Sequence, residues 1–373
     1  MDEEDAFDIP EMGIKISSHE GLIPATLRPM VERRVKIKRL LKSMNKGDPR
    51  YARYQAIKNA LKWLCVVAYG RLGFANSTFG RINSHEVVSF IGRKMLLKAK
   101  EIAEDHGFIV LHAYVDSLFI NKAGVQKESD LQFLLDEIEQ ETKLPIEVEE
   151  VYCWMAFVSS RQNPNLSVAN RFFGLKPDGE YKIRGIACRR EDTPLLIART
   201  QLQILQILAQ ETDPAKLNRL FPDVVRLLHD RAAALYQRTL PLDEFLITQR
   251  LSRDLVNYKT PSPVACAAMQ LQTIGRSVQM GQRIRYIYSI EEQRVHAWDL
   301  PEPLPVHHIH IAPYKELLIR AAHEILQPLG ISKKLLTDWI CSKSSYLAPP
   351  GVLIDGQEIP LLASLHSWRQ LPT

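Results

Sequence analysis

The residues best suited to chemistry in this chain are three cations near its start. Arg34 and Lys38 are four residues apart, so they share one face of a helix, and Lys62 lies in a second helical stretch. Two antiparallel helices can hold such cations on several oxygens of a triphosphate. Spacing alone leaves open the alternative that this is a solvated basic helix face.

Asp116 is the candidate acidic residue. It directly follows the apolar stretch 108–114, and the end of a strand is a common position for a metal-binding carboxylate. A single acid cannot hold two metal ions, and an isolated Asp at such a place is also typical of a turn or a cap. From its position alone, both interpretations of Asp116 stay open.

Basic residues with interleaved aromatic residues follow in the middle of the chain. The block Asn170–Gly174 contains Arg171 and two phenylalanines, and a second group of basic residues comes after it: Lys182, Arg184, Arg189 and Arg190. This composition suits the backbone of a nucleic acid. The alternative is an exposed hairpin without a ligand. The closely spaced His307, His308 and His310 lack the usual partner ligands of a zinc site.

The elements that must position these residues begin with two helices. Apolar residues recur at helical spacing over 24–43 and 50–69, and Asn45–Pro49 has the composition of a turn. The pattern predicts an αα-hairpin with a basic surface. Residues 28–62 contain twelve Lys or Arg against two acids, Glu32 and Asp48, which indicates a partner that carries phosphate.

The rest of the chain predicts a mixture of helices and strands. Residues 1–20 are expected to be a flexible acidic lead, 84–106 a helix, 108–114 a strand that continues as a hairpin beyond Asp116, 127–142 a helix and 146–158 a strand. Asp178-Gly179 predicts a hairpin turn. Beyond Thr193 the chain is expected to be mainly helical, over 194–212, 214–220, 222–239, 243–257, 261–274 and 313–328.

Composition excludes several classes of protein. The 373 residues are 46% hydrophobic, carry a net charge of +5 and contain no apolar run long enough to predict a membrane span. The acidic start is unlike a signal peptide. Five cysteines without a CxxC pair argue against a zinc site and a disulfide framework, and they fit a reducing cytoplasm.

Several of these blocks, taken in order, resemble the C-terminal part of family B DNA polymerases. Gly21–Pro24 and Glu32–Lys38 resemble the fingers of that family, in which the residues matching Arg34 and Lys38 bind the phosphates of the incoming nucleotide. Lys62–Gly70 is similar to the motif Lys-x-x-x-Asn-Ser-x-Tyr-Gly. The resemblance implies that Lys62 and Tyr69 also belong to the nucleotide site, with Lys62 acting in catalysis.

The catalytic blocks depart from the family pattern at specific residues. Val66 replaces the Asn and Val67 the Ser of the Lys62 motif. Around Asp116 the block resembles the metal-binding motif Asp-Thr-Asp, with Tyr114 at the first Asp and Asp116 at the second. The resemblance implies that Asp116 is a catalytic ligand of magnesium (Mg²⁺) in a two-ion site, which needs further carboxylates to hold two ions about 4 Å apart. Such altered motifs suggest the divergent archaeal and bacterial branch of the family.

The remaining blocks are implied to hold the DNA primer-template. The block with Arg171 resembles the Lys-Lys-Arg-Tyr segment of the family, although Ala169 and Asn170 replace the two lysines. The resemblance also implies DNA binding by Lys182, Arg184, Arg189 and Arg190. It implies the same for three cations in the region that resembles the thumb: Lys259, Arg283 and Arg285. A strand with exposed arginines is the alternative for 283–285. The resemblance spans about residues 21–328.

The expected fold is α+β, with helical-hairpin fingers, a partial antiparallel palm sheet with packed helices, and a mainly helical thumb. The implied domains are an acidic lead at 1–20, fingers at 21–74, a C-terminal palm at 75–192, and a thumb with a C-terminal extension at 193–373. The upstream palm motif Asp-x-x-Ser-Leu-Tyr-Pro and the exonuclease region have no match. An unpaired sheet edge at 108–114 would favour pairing with another chain.

The expected function is that of one subunit of a split polymerase that performs template-directed DNA synthesis. A second polypeptide would supply the Asp of the upstream motif, and the dNTP, the DNA primer-template and magnesium would bind the assembled site. The alternative is a catalytically inactive, polymerase-like protein that binds primer-template DNA and scaffolds a replication or repair complex. Retained cations favour the first hypothesis, and Tyr114, Val66 and Val67 favour the second.

Overall fold

The computed structural model describes residues 6–125, 127–160, 162–163, 166–341, 352–354 and 357–359. Contacts within the chain divide it into two compact units. Unit 1 contains the described residues of Met1–Val125 and Leu131–Ile146, and unit 2 contains those of Gln126–Asp130 and Glu147–Thr373. This division falls inside the segment 75–192, and the implied domain boundaries stay predictions.

Unit 1 combines four helices with two small hairpins. Its strands are β1 (Ala6–Ile9), β2 (Ile14–Ser17), β3 (Ile109–Tyr114) and β4 (Ser117–Asn121), and its helices are α1 (Leu22–Ser43), α2 (Tyr51–Leu72), α3 (Ile82–Asp105) and α4 (Gln132–Thr142). β1 pairs with β2 and β3 with β4, both antiparallel. The predicted helical hairpin is therefore confirmed.

The turn between α1 and α2 is held by Asp48 and Arg50. The backbone N–H of Arg50 donates to Asp48 Oδ1 over 2.8 Å, and its guanidinium donates to both carboxylate oxygens. These hydrogen bonds lower the pKa of Asp48 to about 2. Ile37 and Leu41 of α1 are buried, so the apolar face of that helix is directed towards the interior of unit 1.

The β3–β4 hairpin packs on a small core formed with α3 and α4. This core contains Ala99, Ile102, Ala103, Phe108, Leu134 and Ile138, all of them buried. The side chains of β3 alternate between exposed and half-buried, as expected of a strand with one covered face. The core thus holds the open end of the hairpin, next to Phe108, whereas Asp116 lies at the opposite, exposed end.

Unit 2 holds the larger core and most of the remaining elements. Its strands are β5 (Trp154–Ser159), β6 (Ser167–Leu175), β7 (Tyr181–Arg184), β8 (Ile247–Arg250), β9 (Arg283–Tyr288), β10 (Val295–Ala297), β11 (Val352–Ile354) and β12 (Gln357–Ile359). Its helices are α5 (Leu195–Leu208), α6 (Phe221–Gln237), α7 (Pro263–Thr273), α8 (Ile311–Leu326) and α9 (Lys333–Cys341).

The described strands of unit 2 form three antiparallel sheets. The strand orders are β5-β6-β7, β10-β9-β8 and β11-β12. The predicted turn at Asp178-Gly179 joins β6 to β7, and Gly179 has φ +82°, which favours glycine. Ala265, Ala267 and Ala268 of α7 are fully buried, and α7 packs against β9 and β10, so these small residues bring the helix close to the sheet.

Tyr314 shows how helix and sheet are joined in this core. Its hydroxyl donates to the carbonyl of Phe245 over 2.8 Å and accepts the backbone N–H of Tyr288 over 2.9 Å. Burial raises the pKa of this phenol well above its usual value. Both hydrogen-bonding capacities of the buried hydroxyl are therefore used, as the low polarity of the site requires.

The α+β fold class is confirmed, and three local predictions are corrected. Residues 6–17, expected to be a flexible lead, form the β1–β2 hairpin. Residues 146–153 do not continue the strand, which begins at Trp154, because pairing with β6 starts there. The expected helix 243–257 is replaced by short 3₁₀ turns around β8, because Ile247–Arg250 pairs with β9.

None of the described helices is both long and apolar enough to cross a membrane.

Candidate functional site

The three predicted phosphate-binding cations all lie on the α1–α2 hairpin. Arg34 and Lys38 are half-buried on one side of α1, and Lys62 is exposed on α2. The Nε atom of Arg34 is buried and has no hydrogen-bond partner among the described residues. A buried donor without a partner is costly, so this geometry suits an acceptor such as a phosphate oxygen.

Tyr69 is held in place by two residues of α3. Its ring stacks on that of His85 with centroids 4.1 Å apart, and its hydroxyl is hydrogen-bonded to Ser89 Oγ. His85 Nδ1 also lies 3.1 Å from the carbonyl oxygen of Tyr69. Sequence reasoning missed His85 and Ser89; their four-residue spacing on one helix face was the signal that could have found them.

Val66 and Val67 lie on α2 between Lys62 and Tyr69. Both side chains are exposed. Two exposed apolar residues thus occupy the stretch in which the resemblance would place an Asn and a Ser. This part of α2 offers van der Waals contact and no side-chain hydrogen bond.

Asp116 lies at the tip of the β3–β4 hairpin. Tyr114 pairs with Ser117, so Val115 and Asp116 form the whole connection. The N–H of Asp116 donates to the carbonyl of Tyr114 over 2.7 Å across Val115, whose φ is +55°. This is a tight γ-turn that strains a β-branched residue. The Asp116 carboxylate is exposed, and Ser117 Oγ donates to its Oδ1 over 3.4 Å.

Val115→Asn is expected to raise the free energy of unfolding of unit 1 by about 1 kcal/mol, because Asn tolerates a positive φ that strains valine. Little burial is lost, since Val115 is 69% exposed. Denaturant titration measures the change. Val256→Asn is the control, because Val256 is 92% exposed and has no positive φ. Equal effects of both substitutions would show that the turn stores no strain.

Within the described part of the chain, no group of three His, Cys, Asp or Glu residues is arranged to hold a metal ion. His308 Nδ1 lies 3.0 Å from Glu291 Oε1, and His296 Nδ1 lies 3.6 Å from its Oε2. Partial burial opposes ionisation of Glu291, but the hydrogen bonds from these histidines hold its pKa below the usual value. This arrangement ties the β9–β10 turn to residues 306–308.

Arg171 lies inside unit 2 as part of a buried polar cluster. Its Nη2 is paired with Glu324 Oε1, and its Nε donates to the carbonyl of Gly185 over 3.1 Å. Glu324 Oε2 accepts the N–H of Ala187 over 2.9 Å and Nε2 of Gln201 over 3.1 Å. The cluster joins β6, α5 and α8, and it fixes the segment that leads to Arg189 and Arg190.

Four of the other predicted DNA-binding cations form ion pairs at the surface. These pairs are Lys182 with Glu149, Arg190 with Asp192, Arg283 with Glu191, and Arg285 with Asp299. Exposed ion pairs contribute little free energy, so a phosphate backbone can compete for such cations. Partial burial opposes ionisation of Asp192, yet the hydrogen bond from Arg190 holds its pKa below the usual value.

The remaining predicted cations of unit 2 are Arg184, Arg189 and Lys259. All three are exposed, and none has an ion-pair partner among the residues that the structure describes. Arg184 ends β7 and Arg189 ends a 3₁₀ turn, whereas Lys259 lies in the loop before α7. These cations present their full charge to solvent, which is the electrostatic condition for binding phosphates without sequence preference.

Comparisons of this chain with known proteins agree on one family. The sequence model described as DNA polymerase family B matches residues 6–323. A DNA polymerase of Archaeoglobus fulgidus is 27% identical over 285 residues, which are 76% of this chain and 34% of that protein. DNA polymerase 2 of Saccharolobus solfataricus is 32% identical over 181 residues, which are 48% of this chain and 24% of that protein.

A solved structure supports the fold. The family B DNA polymerase of Pyrobaculum calidifontis superimposes with a TM-score of 0.59 at 24% identity, covering 88% of this chain and 41% of that structure. The chain thus spans between a third and about two fifths of the length of two curated relatives that it matches over most of its own length, 34% and 41%.

Proposed function

Because the chain belongs to DNA polymerase family B, we propose that it forms the nucleotide-binding part of a DNA polymerase whose metal site is completed by a second polypeptide. The observation that carries this proposal is the unsatisfied, buried Nε of Arg34 on the α1–α2 hairpin, beside Lys38 and within the same hairpin as Lys62. A scaffold protein has no evident need for such an arrangement of cations.

In this proposal the cations act on the phosphates of a dNTP. Arg34 donates its free Nε–H to a phosphate oxygen, and Lys38 and Lys62 contribute charge. Preorganised cations of this kind stabilise the charge that develops on the phosphates as the new bond forms. Tyr69, fixed by His85 and Ser89, provides a rigid aromatic surface beside them.

Asp116 is proposed as a ligand of magnesium. Its exposed carboxylate at the hairpin tip fits the preference of Mg²⁺ for oxygen ligands and a largely hydrated shell. When bound, the metal would activate the primer 3′ oxygen and neutralise the phosphates. Asp116 itself would orient that ion, and the strained turn at Val115 limits how far the carboxylate can move.

The second polypeptide is proposed because of the β3–β4 hairpin. Among the described strands, no third strand pairs with either of its edges. Ile109 and Leu111 of β3 are exposed, so both an apolar face and an unpaired edge are available. Such an edge favours addition of a strand from another chain. That strand is proposed to carry the missing Asp of the upstream motif.

A second candidate function is DNA binding without catalysis. The exposed Val66 and Val67 and the presence of Tyr114 beside Asp116 favour it, since they remove polar groups from the proposed site. Under this alternative, the exposed Arg184, Arg189 and Lys259 would hold primer-template DNA while the hairpin binds no nucleotide.

Lys62→Gln is expected to weaken binding of a dNTP with magnesium by about tenfold to 100-fold, the value of one charged hydrogen bond to a phosphate. Calorimetric titration of the complex purified from its native host, with primer-template present, measures the dissociation constant. Arg53→Gln is the matched control: Arg53 lies nine residues earlier on α2, on the opposite face.

The two candidate functions give different results in this titration. Retained dNTP affinity in Lys62→Gln, or loss of the same size in Arg53→Gln, contradicts the nucleotide site. A complex that binds primer-template DNA but no dNTP would have the non-catalytic function instead.

A further inference from the structure

The proposed nucleotide site accounts for only part of the positive charge on α1. Arg34 and Lys38 lie on the half-buried side of the helix, next to the buried Ile37 and Leu41. Arg33, Lys36 and Arg39 recur every three residues and are all exposed. At 3.6 residues per turn, this second set follows a separate side of α1, away from the first set.

The second set of cations is only partly balanced by acids: Glu32, four residues before Lys36, lies on the same side of α1, but it forms no ion pair among the described residues. Arg33, Lys36 and Arg39 have no ion-pair partner among the residues that the structure describes, and neither has the exposed Lys46 of the following turn. Asp48, one of only two acids within 28–62, is already engaged by Arg50. Neighbouring like charges on one helix face repel each other, so this face gains from a bound polyanion.

The spacing of these cations indicates the chemistry of that polyanion. Arg33 and Arg39 are separated by six residues, or about 9 Å along the helix axis. A row of flexible cations along such a line matches a chain of phosphates. A single strand can follow this row because its backbone adapts to the surface, whereas a duplex presents fixed phosphate rows.

We propose that the face formed by Arg33, Lys36 and Arg39 binds single-stranded DNA, namely the unpaired template strand near the nucleotide. The identity of the strand as template rests on the proposed function, because the unpaired template strand continues from the base that pairs with the dNTP. The site itself rests only on the three exposed cations of α1, which outnumber the one acid, Glu32, on the same side of the helix. Lys46 extends it into the turn between α1 and α2.

The test measures binding of a labelled 20-nucleotide oligo(dT) and of a matched duplex by the full chain, at salt concentrations from 50 to 200 mM. The triple variant Arg33→Gln/Lys36→Gln/Arg39→Gln is expected to weaken oligo(dT) binding at least about tenfold at the lowest salt, and to reduce the slope of log K against log salt by about 2. Lys36→Gln alone reduces the slope by about 0.7.

The matched control removes the same charge from unit 2. Lys216→Gln/Arg226→Gln/Lys333→Gln replaces three exposed cations that already have acidic partners, Asp213, Asp223 and Glu316. This variant is expected to keep the affinity and slope of the unmodified chain. Glutamine is a good helix former, and circular dichroism at 222 nm verifies that α1 is intact in each variant.

Three outcomes would overturn the single-strand site: an unchanged slope in the α1 variant, equal losses in both triple variants, or a loss confined to duplex binding. The proposed function is tested separately, because the α1 variant keeps Arg34, Lys38 and Lys62 and therefore should keep dNTP binding. If Lys62→Gln leaves dNTP binding intact while the α1 variant loses oligo(dT), the proposed function fails and the single-strand site stands.

Discussion

Replacing Asp116 by Ala is expected to reduce primer extension at least about 100-fold in the complex purified from its native host. The physical reason is that a bound metal stabilises the transition state by several kcal/mol, and each 1.4 kcal/mol corresponds to a factor of ten in rate. Asp116 is the exposed carboxylate at the tip of the β3–β4 hairpin, so its loss removes a magnesium ligand without disturbing the core.

Extension of a labelled primer in magnesium measures this effect, and two controls separate catalysis from binding. Asp105→Ala removes another exposed carboxylate of unit 1, at the end of α3, and should leave extension unchanged. Primer-template affinity should be equal in all three proteins. Undiminished extension by Asp116→Ala would exclude a catalytic function of this carboxylate.

Glu324→Leu is expected to lower the free energy of unfolding of unit 2 by about 3 kcal/mol, the largest stability effect anticipated in the chain. Glu324 is buried and accepts hydrogen bonds from Arg171, from the N–H of Ala187 and from Gln201. Removing the carboxylate leaves a mostly buried guanidinium and a buried N–H without their acceptor. Each of these two unpaired groups then costs the full free energy of its removal from water.

Denaturant titration of four variants, Glu324→Leu, Glu316→Leu, Arg171→Leu and the double variant of Arg171 and Glu324, tests this account of Glu324. Glu316→Leu on the same helix removes an exposed pair with Lys333 and should cost less than about 1 kcal/mol. Arg171→Leu combined with Glu324→Leu should recover part of the stability lost in Glu324→Leu, because neither charge is then left unpaired. A double variant as unstable as the sum of the single variants would contradict a direct coupling.

Periodicity predicted helices such as α1 and α7 well because each of these two buries one face. Ile37 and Leu41 set the apolar side of α1, and the buried alanines set that of α7. Short elements were less predictable. Ile247–Arg250 became a strand through pairing with β9, which lies more than thirty residues away in the sequence.

The ion-pair partner of a charged residue could not be predicted from the sequence. Arg171 was predicted to contact DNA, but its partner in the structure is Glu324, 153 residues later in the chain. By contrast, Arg34 and Lys38 were placed on a common face correctly, because their spacing lies within one helix. Local geometry follows from local sequence, whereas long-range ion pairs depend on the complete fold.

The absence of burial along α2 has a consequence for binding. None of its 22 residues, all of which the structure describes, is buried. Such a helix has a low free energy of local opening, since few apolar contacts hold it closed. A ligand held between α1 and α2 binds only the closed form, in which α2 is folded against α1. Its measured dissociation constant therefore equals the intrinsic dissociation constant divided by the fraction of the protein in the closed form. Substitutions that only rigidify α2 would then tighten nucleotide binding without adding a single contact to the ligand.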